Sequence, residues 1–441
     1  MRIPATPPDW RSYMMEHLET FAQDVASPST AVATVVADAH EGYWHWDKLR
    51  FRAKAANVDP DHVWALVRFQ RVSQQKALPL RSDKHAPLTF WLPDSAQREL
   101  MLIDQQLAGV IGQPTRLLAD KRQTHAFIAN SLMEEAIASS LLEGAATTRR
   151  EAKRMLREQR RPRTTGEWMV ANNFRAIEFV RQRLDADLTL DLLLELHQIL
   201  AADTMPDDWV GRLRRGDDVV EVVDGRDGAV MHVPLPADEL QARLVDLFAF
   251  ANDTVGPQVF VHPVVRAIAT HFQLAYEHPF CDGNGRVARA LFYWSMLRQG
   301  YWLFEFLPLS RLFHRAPARY ARAFLYTETD DFDFGYFLSY HLQIIATARR
   351  ELREHLDAAA RERAAALETF SGDDRLNPRQ TLLLQELQST PDSVVTIASH
   401  RAKQRVAYAT AREDLRALER WNYLASSKRG RAIVYRLRAG A

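Results

Sequence analysis

The chain has 441 residues, 47% hydrophobic and 26% charged, which excludes wholesale disorder and leaves room for two or three domains of roughly 150 residues each. Lys+Arg number 57 against 56 Asp+Glu, so the whole chain is no polycation; the lone Cys281 excludes an intramolecular disulfide framework and a Cys-based zinc site. Met1 to Pro8 lacks the apolar stretch of a signal peptide and no run of 18 apolar residues appears, so the expectation is a cytoplasmic chain with no membrane partner.

Scarce Gly and abundant Ala, Leu, Arg and Glu predict a mainly α protein. Residues 1–105 read as a leading helical region. Its cluster Tyr43-Trp44-His45-Trp46 reads as core or interface packing, and His40, His45 and His62 lack the tight spacing of metal ligands. Phe127, Ile128, Leu132, Ile137, Leu141 and Leu142 recur at the helical period and predict a helix over 126–142, stopped by Gly144. Helices follow over 167–184 and 189–201. From 217 to 233 the pattern changes: Val219, Val220, Val222 and Val223, a turn Asp224-Gly225-Arg226-Asp227-Gly228, then Val230, Met231 and Val233 predict a hairpin ended by Pro234 and Pro236. Helices resume over 237–252, 262–277 and 286–299, and a long charged one covers 340–369 before a linker at Ser371-Gly372-Asp373-Asp374.

The last segment, 376–441, reads as three helices (from Pro378, from Val395 and from Tyr408) and a hairpin turning at Lys428-Arg429-Gly430-Arg431, a pattern that resembles a winged helix-turn-helix. Residues 401–441 hold 11 Lys/Arg against 3 Asp/Glu. Such charge suits duplex DNA, with Thr410, Arg412, Glu413 and Arg416 facing a major groove. The same architecture also serves protein contacts, so homodimerisation stays open.

His278-Pro279-Phe280-Cys281-Asp282-Gly283-Asn284-Gly285-Arg286-Val287-Ala288-Arg289 lies between two apolar helices. A helix opening on Gly-Asn-Gly offers bare N–H groups to an anion. Arg286 and Arg289 share a helix face and suit phosphate oxygens, Asp282 is a hard ligand for Mg²⁺, and His278 titrates where a general base must. Gly283-x-Gly285-x-x-Ala288 matches the loose dinucleotide fingerprint, but the residues before it are helical where that motif needs a strand.

These twelve residues match at every position the signature of the Fic family, His-x-Phe-x-Asp/Glu-Gly-Asn-Gly-Arg-x-x-Arg, and the chain resembles its protein AMP transferases over about 105–345. The resemblance implies that His278 deprotonates a target hydroxyl and that Asp282 holds Mg²⁺ on the phosphates of ATP. Gly283, Asn284, Gly285, Arg286 and Arg289 would grip the phosphates, Phe280 would anchor the loop, and the hairpin would dock the target. Tyr320 matches a tyrosine of the adenine pocket, and Gly211 and Arg214 match positions before the hairpin. Ser139-Ser140-Leu141-Leu142-Glu143-Gly144 resembles the family's inhibitory pattern, with Glu143 reaching Arg289 and Ser139 supporting the helix end or facing a phosphate.

The expectation is therefore a Fic-type helical bundle with a β-hairpin flap and a C-terminal winged helix-turn-helix, divided as 1–105, 106–350 with an inhibitory helix near 126–144, a helix and linker over 351–375, and 376–441. The expected activity moves AMP from ATP to a Tyr, Thr or Ser hydroxyl of a protein, restrained by Glu143, with removal of AMP left open. Two alternatives stand: a DNA-binding regulator whose core senses ATP, and transfer of a different group.

Overall fold

Polar side chains start several of the helices. Asp9, Ser29, His45 and Asp59 accept backbone N–H bonds at the heads of α1 (Trp10–Glu16), α3 (Thr30–Glu41), α4 (Trp46–Ala55) and α5 (Pro60–Gln74), and α2 (Leu18–Ala26) lies between the first two. The structure is a computed structural model that describes residues 3–108, 121–225, 227–254, 260–371, 373, 375–389, 393–429 and 432–438. Arg226 of the predicted flap turn, Gly372 and Asp374 of the linker, and Gly430 and Arg431 of the basic turn lie outside the described residues. The chain divides into two units, Met1–Arg350 and Glu351–Ala441.

In the first unit α1–α5 close over a core of Val35, Leu49, Val63, Trp64 and Val67, with Trp44 and Trp46 packed against it. The tryptophans are thus packing residues. Arg68 is buried and ion-paired with Asp330 (3.2 Å) and Asp333 (2.9 Å), while the Tyr43 hydroxyl donates to Asp333 (2.8 Å). A buried cation is tolerable only with such partners. The hairpin of β1 (Lys76–Arg81) and β2 (Pro87–Phe90), which the sequence reading missed, follows with α6 (Asp94–Leu107).

α7 (Lys121–Leu142) packs against α9 (Thr165–Arg181) and α14 (Leu309–Arg315). Thr148 and Thr164 cap α8 (Arg149–Arg157) and α9, each with a Glu three residues on, and Thr189 caps α10 (Leu190–Ala201). The flap, β3 (Val222–Val223) paired with β4 (Val230–His232), is shorter than the predicted 217–233 pair. Val219 is 93% exposed, so no apolar burial extends the ladder there. After α11 (Leu240–Ala251) come α12 (Pro263–Glu277) and α13 (Asn284–Arg298), which pack on each other and are buried on nearly every side. α15 (Pro317–Thr329) and α16 (Gly335–Ser371) complete the series.

The second unit holds α17 (Pro378–Ser389), α18 (Ile397–Gln404), α19 (Tyr408–Arg420) and the antiparallel β5 (Leu424–Arg429) and β6 (Ala432–Leu437). Its core is Leu383, Leu384, Leu387, Val395, Leu415, Leu418, Leu424 and Tyr435, and an antiparallel bridge joins Val395 to Tyr435. The protein is mainly helical with small antiparallel hairpins. Among the described residues no helix is long and apolar enough to cross a membrane.

Candidate active site

The loop from His278 to Gly283 joins the two central helices and is held from three sides. His278 ends α12 in the left-handed region (φ 49°, ψ 57°), a conformation that costs a non-glycine residue about 1–2 kcal/mol. Its N–H donates to the Leu274 carbonyl (3.1 Å), and its Nδ1 lies 3.2 Å from the Ala275 carbonyl. A ring nitrogen facing a carbonyl must carry the hydrogen, so Nε2 keeps its lone pair. Burial lowers the pKa of His278 to about 4, which keeps the ring neutral near pH 7.

Arg214 supports this corner from beneath. Its Nε donates to the His278 carbonyl (2.9 Å), one terminal nitrogen to the Leu235 carbonyl (2.5 Å), and its own backbone N–H to the Pro279 carbonyl (2.9 Å). Phe280 is fully buried and stacks face to face on His197 at 3.8 Å. His197 Nδ1 accepts the Gly211 N–H (3.1 Å), which leaves Nε2–H to donate to the Asp282 carbonyl (3.0 Å). Burial lowers its pKa to about 4, so it stays neutral as this bonding requires. Sequence reasoning missed His197, since a lone histidine on a helix carries no spacing signal.

The Asn284 side chain accepts the Phe280 N–H (2.9 Å) and donates to the Phe280 carbonyl (2.8 Å), so it closes the loop, and its backbone N–H opens α13. Gly283, at φ +88°, is the N-cap of α13, where no side chain caps the helix. A Cβ at Gly285 would stand 2.3 Å from Glu143 Oε1, so a side chain there would have to displace the Glu143 carboxylate. Arg286 is buried and donates to the Leu200 carbonyl (3.2 Å). Arg289 is spent on the end of α7: Nε donates to Ser139 Oγ (2.9 Å), and a terminal nitrogen to the Ser139 carbonyl (3.1 Å) and to Glu143 Oε1 (2.7 Å). Burial alone would raise the Glu143 carboxyl, but the Arg289 guanidinium outweighs it and holds the group below the usual carboxylate range. Among the described residues, Arg286 Nε and one terminal nitrogen of Arg289 are buried with no hydrogen-bond acceptor. Donors of that kind fit a phosphate.

A cavity of about 500 Å³ opens over the loop. His278, Asn284, Gly285, Arg289, Glu143 and Tyr320 all line it, together with flap residues Val222, Val223 and Met231. Asp282, Gly283, Arg286 and Ser139 are not among its lining residues. The Tyr320 ring stacks on Phe313 (4.6 Å) and its hydroxyl lies 2.8 Å from His271 Nε2, so its polar end points inward while the ring forms wall. The Asp282 side chain is 52% exposed, and its Oδ1 accepts the Gly283 N–H (2.6 Å). The second oxygen is 3.4 Å from Arg286, a weak contact that leaves it able to ligate a hard cation. One exposed carboxylate beside a phosphate-binding turn fits Mg²⁺, which takes few protein ligands and keeps its waters.

Residues 187–296, which include this loop, match the Fic/DOC family. The chain is 26% identical over 212 residues to protein adenylyltransferase fic-1 of Caenorhabditis elegans, covering 46% of this chain and 35% of that protein. It is 32% identical over 129 residues to protein adenylyltransferase Fic of Nematostella vectensis, covering 29% of this chain and 27% of that protein. The matches thus span about a third or less of these relatives. The crystal structure of a Fic family protein from Desulfovibrio desulfuricans superposes with a TM-score of 0.52 at 20% identity, over 80% of this chain and 99% of that one, a likeness of fold. The matched segment contains the loop and part of the cavity lining, so residues 187–296 are a Fic domain, in a chain related to protein adenylyltransferases.

Proposed function

We propose that the protein transfers AMP from ATP to the hydroxyl of a Tyr, Thr or Ser on a protein target, and that Glu143 restrains it. The observation that carries the reading is His278: a neutral ring with Nε2 unspent, on the wall of a cavity that also holds the Arg289 guanidinium. In the step, Nε2 takes the hydroxyl proton while the oxygen forms a bond to the α-phosphorus. The bond from that phosphorus to the bridging oxygen breaks, and pyrophosphate leaves with the electron pair. The bare N–H groups at the head of α13 and the guanidinium groups of Arg286 and Arg289 orient the phosphates and offset their charge. Asp282 would hold Mg²⁺, which supplies further charge neutralisation. Glu143 competes with the nucleotide for Arg289, so the γ-phosphate loses its partner and the α-phosphorus its alignment.

The test is incorporation of labelled ATP. Glu143→Gly is expected to raise self-labelling at least tenfold, and adding His278→Ala should abolish it while ATP still binds. Labelling that survives His278→Ala, or that never appears in Glu143→Gly, overturns the reading; comparison with UTP and CDP-choline decides the transferred group. The same Glu143 protein, given a labelled product, tests removal of AMP.

A second activity is favoured by the C-terminal unit, which we read as a winged helix-turn-helix that binds duplex DNA. Support comes from the three-residue turn between α18 and α19, the added bridge at Val395 and the exposed Arg412 and Arg416, which bear no ion pair among the described residues. The competing use of such a module is protein contact, including a homodimer.

A further inference from the structure

One side chain fastens the flap to the helix that carries the base. His232, on β4, has Nδ1 2.8 Å from Glu328 Oε2 on α15 and Nε2 2.8 Å from the Tyr276 carbonyl oxygen on α12. A carboxylate and a carbonyl are acceptors, so both ring nitrogens must donate, and that requires the imidazolium. A neutral ring has one N–H and can keep only one of the two bonds. The side chains of His232 and Glu328 are 11% and 19% exposed, and the His232 ring lies 4.8 Å from that of Tyr276. Both residues line the cavity that holds His278, and Tyr276 lies two positions before it.

We propose that His232 is a positioning residue: bonded at both nitrogens, it clamps the flap strand to the corner that ends in His278, and so aligns a target segment lying along the flap with Nε2 of the base. The proposal rests on the transfer reading for its functional consequence, while the clamp itself is a property of the fold. Strand addition to the flap would fix the target's backbone, so the flap's position sets the height of the incoming hydroxyl.

The groups facing His232 agree on its charge. Glu328 faces it from α15 and Asp83 from the β1–β2 turn, and the α12 end contributes the Tyr276 carbonyl, Glu277 and, as an opposing neighbour, His278. Burial disfavours the imidazolium, yet Glu328 and the others outweigh it, so the pKa is raised above the ordinary histidine value. The sign follows: the clamp is complete below the unfolded-state value and is lost as pH rises through the raised one.

Hydrogen exchange of the amides in 222–232 tests the clamp without any catalysis, with variants compared at the same pH so that intrinsic exchange cancels. Wild type should keep its flap protection to a higher pH than Glu328→Gln, whose neutral amide no longer favours the imidazolium, and His232→Asn should lack the protected state at every pH. In the Glu143→Gly background, self-labelling should fall about tenfold per pH unit above the transition, the slope of one titrating group. The Glu328→Gln change should move that limb to lower pH at unchanged KM for ATP. Identical exchange and identical pH limbs in wild type and Glu328→Gln, at equal melting temperature, overturn the proposal. If Glu143→Gly labels nothing, the transfer reading fails and the exchange result still decides the clamp.

Discussion

His197 shows what a single buried ring does for a loop it never follows in sequence. It stacks on Phe280, accepts from Gly211 and donates to the Asp282 carbonyl, so it fixes the peptide whose side chain would hold the metal. Replacing it with Ala removes the stack and leaves a buried N–H without an acceptor, at a cost of about 2–4 kcal/mol. The expected result is a lower melting temperature and, in the folded fraction, labelling that needs more Mg²⁺, because Asp282 is no longer held. Unchanged Mg²⁺ dependence would mean that Asn284 and Arg214 set the loop without His197. The sequence made much of this site legible, because the twelve residues from His278 to Arg289 are contiguous and each type is chemically committed. His197 and His232 were not legible, since each acts through partners 14 to 96 residues away, and no local spacing records such a meeting. Asn284 was legible as a site residue, but only the structure assigns its side chain to Phe280 rather than to an anion.

On the proposed restraint by Glu143, the element that would carry it is α7, whose grip is wider than the contact of Glu143 with Arg289. Glu135 is fully buried: Oε2 accepts the Ser310 N–H (2.9 Å) and the Tyr293 hydroxyl (2.9 Å), and Oε1 accepts the Ser310 hydroxyl. Asn173 on α9 donates to Ser140 Oγ (3.2 Å), one turn before Glu143 reaches the site. Glu135→Ala leaves the Ser310 N–H and hydroxyl unsatisfied, while the Tyr293 hydroxyl keeps the Leu307 carbonyl; the loss is about 3 kcal/mol and should loosen α7 enough to raise self-labelling toward the Glu143→Gly level. Asn173→Ala should do less, about 1 kcal/mol, with a smaller rise. A fall in melting temperature with labelling still at the wild-type level would assign the restraint to the Glu143–Arg289 pair alone. Periodicity predicted this helix because its apolar residues recur at the helical spacing. It failed for α8, whose nine residues include four Arg and one Lys, and for the β1–β2 hairpin, whose Pro79 and Pro87 masked the alternation.

At the scale of the whole chain, charge is unevenly distributed. The total is +1, yet residues 401–441 alone hold 11 basic against 3 acidic side chains, so the rest is net negative. Within α18 and α19 some of that basic charge is spent: Lys403 pairs with Glu386 and Arg420 with Glu413. Asp414 is buried and bonds Asn377, Arg379 and His400, so it supports the core and presents no charge to a partner. What remains on the outer face is Tyr408, Arg412 and Arg416, at successive four-residue steps along α19 and all exposed, with Arg401 and Arg405 on and just after α18. A stripe at that spacing lies on one side of a helix and suits phosphates flanking a groove. If the unit binds duplex DNA through this stripe, the affinity of the full-length protein should fall steeply with salt, because each neutralised phosphate releases a counterion. Arg412→Ala combined with Arg416→Ala should then weaken binding and reduce the slope of log K against log salt by about 2, while self-labelling by the Glu143→Gly form is untouched. Both positions are exposed and bear no ion pair among the described residues, so the double variant should fold. Binding whose salt slope ignores the double variant would locate the DNA contact elsewhere, and no binding at low salt would leave the module to protein contact, read as a concentration-dependent change in mass by sedimentation.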